Sequence, residues 1–224
     1  MKLSVIATPI GNMKDITIRA KEALERATLI VAEDTRTAGS LLKLLGITDK
    51  KAFVSSHAQS SAQSHRAVIE RCAEYDYIAL VTDAGTPAIS DPGSMFVDEF
   101  RTAYPDAVIE PLPGPSAAIA ALSVSGFPAS HFEFLGFIPH KKGRETLFKK
   151  IAATEHAIVL YESPHRLLKT LESLAAALGS RRIMIGREMT KQFEEYPRGT
   201  AQELLEYYRS NPDKVRGEFA IVIE

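Results

Sequence analysis

The sequence has few of the features that mark disulfide-bonded, secreted or membrane-spanning proteins. Its single cysteine, Cys72, excludes an intramolecular disulfide and a zinc site built from several cysteines. Residues 1–6 lead directly into a predicted strand, with neither a signal peptide nor a long apolar span. We therefore expect a cytoplasmic protein that has no membrane partner.

Charge excess and the common hydrolase motifs are also missing. The 27 Lys and Arg residues nearly balance 28 Asp and Glu residues, so any RNA contact must use locally gathered basic groups. The six histidines are scattered, and there is no His-Glu-x-x-His pattern, phosphate loop or Gly-x-Ser-x-Gly elbow. We predict no metal site, and the absences disfavour hydrolases and nucleotidases.

Short apolar runs alternate with amphipathic stretches along most of the 224 residues. This alternation predicts an α/β fold with mostly parallel pairing in the first half, and the length fits two modest domains. The predicted strands cover residues 3–7, 29–32, 52–55, 77–81, 108–111, 132–137, 157–161, 182–185 and 218–223, and the predicted helices cover 17–27, 35–45, 62–75, 92–103, 116–123, 143–153, 164–178 and 201–209.

Capping residues mark several helix boundaries. Thr35 can accept hydrogen bonds from the first free amides of its helix, and Gly46 occupies the place of a left-handed residue after the helix end. Asp91-Pro92 and Ser163-Pro164 each put a side-chain oxygen before a proline at the first helical position. We expect helices to begin or end at these places.

A proline-rich segment, residues 111–115, predicts the boundary between the two domains. Three prolines and a glycine there end one run of elements and redirect the chain. We therefore expect an N-terminal domain over residues 1–112 and a C-terminal domain over residues 113–224.

The segment from Val81 to Gly93 is the strongest sign of a ligand site. It follows a buried apolar run and contains two prolines, two glycines and two aspartates. Loops at the carboxyl ends of buried strands are where open α/β sheets bind ligands. A plain connecting turn is the alternative, but it explains less well why the loop is long and acidic.

Charged residues follow other predicted strands. Glu33, Asp34 and Arg36 stand between a strand and a helix, where Asp34 or Thr35 could cap the helix and Arg36 could pair with a neighbour. Residues 160–166 and 185–191 have the same arrangement. Basic residues gather at 140–144, although charge runs are more often solvated faces than RNA contacts.

Five segments stand in order along the chain: Thr8-Pro9-Ile10-Gly11-Asn12, Ala32-Glu33-Asp34-Thr35-Arg36, Asp83-Ala84-Gly85-Thr86-Pro87 with Ser90-Asp91-Pro92-Gly93, Pro113-Gly114-Pro115-Ser116-Ala117 and Tyr161-Glu162-Ser163-Pro164-His165-Arg166. Together they resemble one family, the ribosomal RNA small-subunit methyltransferase I family within the tetrapyrrole-methylase-like group. The resemblance implies 2′-O-methylation of a cytidine ribose in the decoding region of 16S rRNA, within the small ribosomal subunit. It implies S-adenosyl-L-methionine as methyl donor, a homodimer, and two α/β domains with a cofactor cleft between them, the second with a mixed sheet.

The resemblance also assigns site residues. This sequence departs from the family at Ser55-Ser56-His57, where an aromatic residue is usual and Ser stands here. The donor pocket carried over to this sequence comprises Pro9, Ile10, Gly11, Asp83, Ala84, Gly85, Ile89, Ser116, Ala117, Tyr161 and Gly186.

A ribose hydroxyl is a weak nucleophile, so its methylation benefits from a base or from stabilisation of the developing alkoxide. The candidates are Glu33, Arg36, His57, Arg187 and Lys191, which the sequence does not rank. We place Glu33 and Arg36 at the substrate rim and Arg187 against RNA phosphate or ribose. The predicted RNA-binding residues are Lys141, Lys142, Arg144, Arg166 and Lys191.

Two other functions stay open. A methylase of a corrin-type tetrapyrrole, or of the modified histidine in elongation factor 2, would share fold and donor pocket. The Glu-Asp-Thr-Arg and Glu-Ser-Pro-His-Arg segments argue against it, since they are typical of the RNA-directed branch. A non-catalytic module that binds the donor or RNA is a different class.

Overall fold

The computed structural model describes the backbone of residues 1–57 and 62–224. It describes the side chains of residues 1–57 and 65–224. The chain divides into two units, Met1–Ser116 and Ala117–Glu224. Each unit is built on its own five-stranded sheet.

The sheet of the first unit is parallel throughout. Its strands occur in the order β3-β2-β4-β1-β5. The carboxyl ends of all five strands therefore meet at one edge, where open α/β sheets bind ligands. The strands are β1 (Lys2–Ile6), β2 (Leu29–Ala32), β3 (Ala52–Ser55), β4 (Tyr77–Val81) and β5 (Val108–Leu112).

Helices cover both faces of this sheet, which explains why strand β2 is buried at every residue. Ile30 packs in one core cluster with residues of α1 and α2, whereas Leu29 and Val31 pack in another with residues of α3 and α4. The helices are α1 (Ile18–Arg26), α2 (Thr35–Leu44), α3 (Ala62–Cys72) and α4 (Gly93–Ala103).

The sheet of the second unit is mixed, in the order β6-β7-β10-β8-β9. Only β6 and β7 are parallel neighbours, and the other pairs are antiparallel. Helices α6, α7 and α8 share a core with the sheet, and α5 packs on β7, β8 and β10. The elements are α5 (Ala117–Ser125), β6 (Phe132–Phe137), α6 (Arg144–Ala153), β7 (Ala157–Glu162), α7 (Pro164–Leu178), β8 (Arg182–Arg187), β9 (Arg198–Thr200), α8 (Ala201–Ser210) and β10 (Phe219–Ile223).

The α/β class, the parallel first sheet and the mixed second sheet are confirmed. The sequence did not predict β9, nor the 3₁₀ turns Met13–Asp15 and Pro212–Lys214. Strand β9 is three residues long, Arg-Gly-Thr, and its backbone pairs with β8 without any apolar alternation in the sequence. Its position depends on the neighbouring strand rather than on its own side chains.

The predicted helix boundaries are confirmed at Gly46 and at Pro164, where α7 begins, although the Ser163 hydroxyl makes no cap hydrogen bond. Two other predicted caps were wrong in detail. Asp34, not Thr35, caps α2, because its carboxylate accepts from the amide of Arg36 at 2.8 Å. Helix α4 begins at Gly93 rather than Pro92, and the Asp91 carboxylate accepts from the Gly93 amide at 2.7 Å. Gly46 follows α2 with φ +74°, the left-handed conformation that was expected.

Among the helices in the described part of the chain, none is long and apolar enough to cross a membrane.

Candidate active site

Three loops of the first unit meet at the carboxyl edge of its sheet, after β1, β4 and β5. We call them the cradle, defined as residues 7–11, 82–86 and 113–116. The first two loops are joined through Thr8 and Gly85, whose backbones exchange two hydrogen bonds. The Thr8 amide donates to the Gly85 carbonyl at 2.9 Å, and the Gly85 amide donates to the Thr8 carbonyl at 3.1 Å. Their separation is thereby fixed.

The third loop is bound to the other two. The hydroxyl of Thr86 donates to the Pro115 carbonyl at 3.0 Å, and the Ala7 amide donates to the Leu112 carbonyl at 3.3 Å. Gly114 lies so close to β1 that a Cβ there would be 2.9 Å from the Cβ of Ala7. The closeness of these backbones requires glycine at position 114.

The cradle presents both a charged group and an apolar one to a ligand. Asp83, Ala84 and Gly11 are exposed, whereas Ile10 and Gly85 are buried beneath them. In the loop that continues from β4, Ile89 is 48% exposed. A carboxylate beside exposed apolar and backbone groups fits a ligand that carries both a cationic group and an apolar one.

The same loop has an unusual backbone. Ala88 and Ser90 have φ values of 70° and 67°, a region that residues other than glycine rarely adopt. The Asp91 carboxylate holds this turn, since one oxygen accepts from the amides of Ala88 at 2.8 Å and Gly93 at 2.7 Å. Strained conformations that are held in this way concentrate at ligand sites.

The structure brings most of the predicted donor residues of the first unit to one edge of the sheet. Pro9, Ile10 and Gly11 follow β1, whereas Asp83, Ala84 and Gly85 follow β4. Ser116 follows β5, and Ile89 lies further along the β4 loop. Their contact with a methyl donor stays a prediction.

Glu33 and Arg36 lie at the same edge, after β2, in different environments. The guanidinium of Arg36 is 90% exposed and binds the Asp34 carboxylate through Nε at 3.0 Å and Nη2 at 2.6 Å. This pairing holds the pKa of Asp34 well below its usual range. The expectation that Asp34 caps its helix and Arg36 pairs with a neighbour is confirmed.

Glu33 is only partly exposed, and its pKa is raised. Burial is the main cause, and the charges of Asp83 and Asp91 add to it, while His57 opposes it. A carboxyl group that is desolvated beside other carboxylates binds a proton more readily. This is the environment expected of a group that accepts a proton during catalysis.

In the second unit, Tyr161 and the start of α5 are joined. The amide of Ala118 donates to the Tyr161 hydroxyl oxygen at 2.9 Å, so the hydroxyl keeps its own proton for another acceptor. Burial raises the pKa of Tyr161. Ala117, a predicted donor contact, begins this helix.

Gly186 has a packing role in the same unit. A Cβ at Gly186 would be 2.5 Å from the Met189 sulfur, so the glycine lets Met189 fold against β8. That Gly186 also contacts the methyl donor stays a prediction.

Arg187 is 4% exposed. Its guanidinium donates to the carbonyls of Arg216 at 3.2 Å and Phe193 at 3.1 Å, and it lies 3.8 Å from the Glu195 carboxylate. A buried arginine bound to backbone carbonyls fixes the loop after β8. The predicted contact with RNA is untested, and we leave Arg187 out of the proposed catalytic set.

Arg144 and Arg166 converge on Glu162, a buried carboxylate that the sequence analysis placed in a family segment without giving it a role. Glu162 accepts from Arg166 at 2.7 Å, Thr170 at 2.6 Å and the amide of Ser163 at 2.8 Å, and Arg144 lies 4.0 Å away. The sequence signal was a glutamate that directly follows the apolar strand residues 157–161.

The remaining predicted RNA contacts differ in accessibility. Lys141 and Lys142 are exposed in the loop before α6. Lys191 is engaged within its own unit, since its ammonium lies 2.8 Å from Glu188 and 2.9 Å from Glu218. The Lys141 and Lys142 side chains are therefore the more accessible of the predicted cations.

Comparisons with known proteins agree with this fold. The family described as tetrapyrrole (corrin/porphyrin) methylases matches residues 2–205. A relative from Haemophilus influenzae, named ribosomal RNA small subunit methyltransferase I, is 42% identical over 99% of this chain and 78% of its own length. A relative of the same name from Thermotoga maritima is 40% identical over 99% of this chain and 97% of its own length.

The chain belongs to the ribosomal RNA small subunit methyltransferase I family. The predicted resemblance is thus confirmed.

Solved structures support the fold alone. A diphthine synthase has a TM-score of 0.75 at 15% identity, covering 100% of this chain and 89% of its own. The methyltransferase CobJ has a TM-score of 0.69 at 19% identity, covering 99% of this chain and 93% of its own.

We predict that Gly114→Ala destabilises this family member by about 1–3 kcal/mol, because the added methyl would overlap the Cβ of Ala7. Gly39→Ala in α2 is the matched control. A Cβ at Gly39 meets nothing within 4 Å, and alanine should stabilise the helix by about 0.5–1 kcal/mol. Urea unfolding measures both, and equal effects of the two substitutions would contradict the close approach.

We also predict that Glu162→Ala costs about 3–5 kcal/mol, because it leaves two largely buried guanidinium groups without their carboxylate. Glu172→Ala is the control, since the Glu172–Arg209 pair is half exposed and should contribute less than about 1 kcal/mol. Thermal or urea unfolding compares the two. A Glu162 variant no less stable than the Glu172 variant would show that the network contributes little.

Proposed function

We propose that this protein transfers a methyl group from S-adenosyl-L-methionine to the 2′-hydroxyl of a cytidine in 16S rRNA of the small ribosomal subunit. The observation that carries the proposal is the interlocked cradle with a desolvated carboxyl group, Glu33, at the same sheet edge. Relatives at 40–42% identity that are named rRNA methyltransferases support RNA as the substrate class.

The cradle suits the methyl donor by its chemistry. Asp83 offers a carboxylate to a cationic group, and Ile89 offers an exposed apolar side chain. When bound, the donor supplies a methyl group already activated on a sulfonium sulfur. The chain therefore has to bind and align it, an effect that supplies roughly 7–11 kcal/mol in well-oriented reactions.

Glu33 is the proposed general base. As the methyl–oxygen bond forms and the methyl–sulfur bond breaks with its electron pair left on sulfur, the hydroxyl proton passes to the Glu33 carboxylate. A raised pKa makes this carboxylate a better proton acceptor than an exposed glutamate. Arg36 lies in the first turn of α2, where its exposed guanidinium, paired with Asp34, can meet RNA phosphate.

RNA contact is proposed for the exposed Lys141 and Lys142, because the chain as a whole carries a net charge of −1 and cannot attract RNA globally. We further propose that the protein forms a homodimer and that it works in the cytoplasm.

Incubation with tritiated donor and 30S subunits tests the reaction. We expect label in 16S rRNA, at the 2′ position of one cytidine after nuclease digestion and mass spectrometry. Label that appears only in a porphyrinoid or in protein would point to the other methylases of this fold. Donor binding without label in any acceptor would point to a non-catalytic module.

We predict that Glu33→Gln lowers the single-turnover rate at saturating donor by about 100-fold or more, because the amide cannot accept the hydroxyl proton. The wild-type rate should rise with pH through a pKa above 4.5, since Glu33 must lose its proton before it can act and its pKa is raised.

Glu22→Gln, on the exposed face of α1, is the control and should leave the rate and its pH profile unchanged. If the Glu33→Gln variant kept the wild-type rate and profile, Glu33 would not be the base.

A further inference from the structure

A pocket lies at the same sheet edge, on the other side of β4 from the cradle. The strand order places β4 between β1, which carries a cradle loop, and β2, which carries Glu33. The loop after β4 therefore borders both places. The pocket is lined by Glu33, Ser56, Leu80, Val81, Thr82, Asp91, Pro92 and Gly93.

Ser56 brings an unsatisfied oxygen to this pocket. The residue is 5% exposed, and its hydroxyl is buried without a hydrogen-bond partner in the described part of the chain. Its backbone is fixed, because its amide donates to the Ala32 carbonyl at 2.9 Å. Buried hydroxyls are almost always hydrogen-bonded, so an unpaired one that lines a pocket marks a place for one further oxygen, that of a water molecule or of a ligand hydroxyl.

Glu33 lies beside Ser56 for a structural reason. Ala32 and Ser55 are paired in the ladder between β2 and β3, so Glu33 and Ser56 are the residues that leave the two strands together. Glu33 is partly exposed. Among the described residues, no side chain or backbone amide donates a hydrogen bond to its carboxylate. A hydroxyl and a carboxylate are thus both available to one small ligand group.

The charges around the pocket decide which ligand group fits. Glu33 and Asp91 line the pocket, and Asp83 is close enough to raise the pKa of Glu33, so the negative charge at this place repels phosphate. Over the described residues, no three His, Cys, Asp or Glu side chains are arranged to hold a metal ion. A neutral group that donates a hydrogen bond, such as a sugar hydroxyl, fits the pocket best.

We propose that Ser56 and Glu33 form a hydroxyl subsite that holds the acceptor ribose next to the cradle. Ser56 donates a hydrogen bond to the ribose oxygen, whose own proton points to the Glu33 carboxylate. One lone pair of the oxygen then stays free for the methyl group. The inference rests on the proposed function and adds Ser56 as a substrate-binding residue.

The subsite predicts a coupling between Ser56 and the target hydroxyl. In wild-type protein, replacing the target nucleotide of 16S rRNA by its 2′-deoxy form should weaken RNA binding about 50-fold, because it removes a neutral hydrogen bond from Ser56, worth about fivefold, and a charge-assisted one to Glu33, worth about tenfold. In Ser56→Ala the same replacement should weaken binding only about tenfold, because the bond to Glu33 alone is lost. Ser56→Ala should also lower the single-turnover rate on normal RNA about fivefold or more and leave donor binding unchanged.

Stability separates this role from a structural one. Ser56→Ala removes a buried oxygen that has no hydrogen-bond partner among the described residues, so the midpoint of urea unfolding should stay the same or rise. Ser173→Ala is the matched control, because that hydroxyl bonds the Lys169 carbonyl of its own helix at 2.9 Å. The control should retain the full wild-type effect of the deoxy nucleotide.

Two results would overturn the inference. If the deoxy nucleotide weakens binding equally in wild-type protein and in Ser56→Ala, the ribose hydroxyl is bound elsewhere. If Ser56→Ala unfolds at lower urea, the oxygen has a structural partner. Either result can occur in a protein that methylates RNA, whereas failure of the proposed function would show as no label in RNA with the wild-type protein.

Discussion

The backbone bridge between Thr8 and Gly85 is the constraint on which the rest of the candidate site depends. Two hydrogen bonds of 2.9 and 3.1 Å join the loops after β1 and β4, which would otherwise be free to separate. Thr8 is 1% exposed, so water does not compete for these bonds. With Pro115 bound to Thr86, the three loops form one rigid edge. Rigid placement of a ligand is what an alignment-driven reaction requires.

The loop after β4 is shared between the cradle and the pocket that contains Ser56. It leaves β4 at Thr82, makes the bridge at Gly85, and returns at Asp91 to begin α4. Its positive φ angles at Ala88 and Ser90 are maintained by the Asp91 carboxylate. A single fixed loop therefore borders both the cradle and the pocket that contains Ser56.

Much of the fold followed from the sequence, because apolar runs and capping residues are local signals. Strands β2, β3 and β4 lie where the apolar runs predicted them, and Gly46 has the left-handed backbone that its position implied. What was missed depends on distant partners. Strand β9 exists because β8 pairs with it, and the engagement of Arg187 depends on carbonyls of Phe193 and Arg216. An unpaired oxygen such as that of Ser56 is likewise invisible until its surroundings are known.

The most direct test of the central claim is a crystal structure of the protein bound to S-adenosylhomocysteine, the product of the donor. The account predicts that the ligand contacts the loops after β1 and β4, with the Thr8–Gly85 bridge intact and Asp83 and Ile89 at the ligand. A ligand bound away from these loops, or one whose binding opens the bridge, would contradict it.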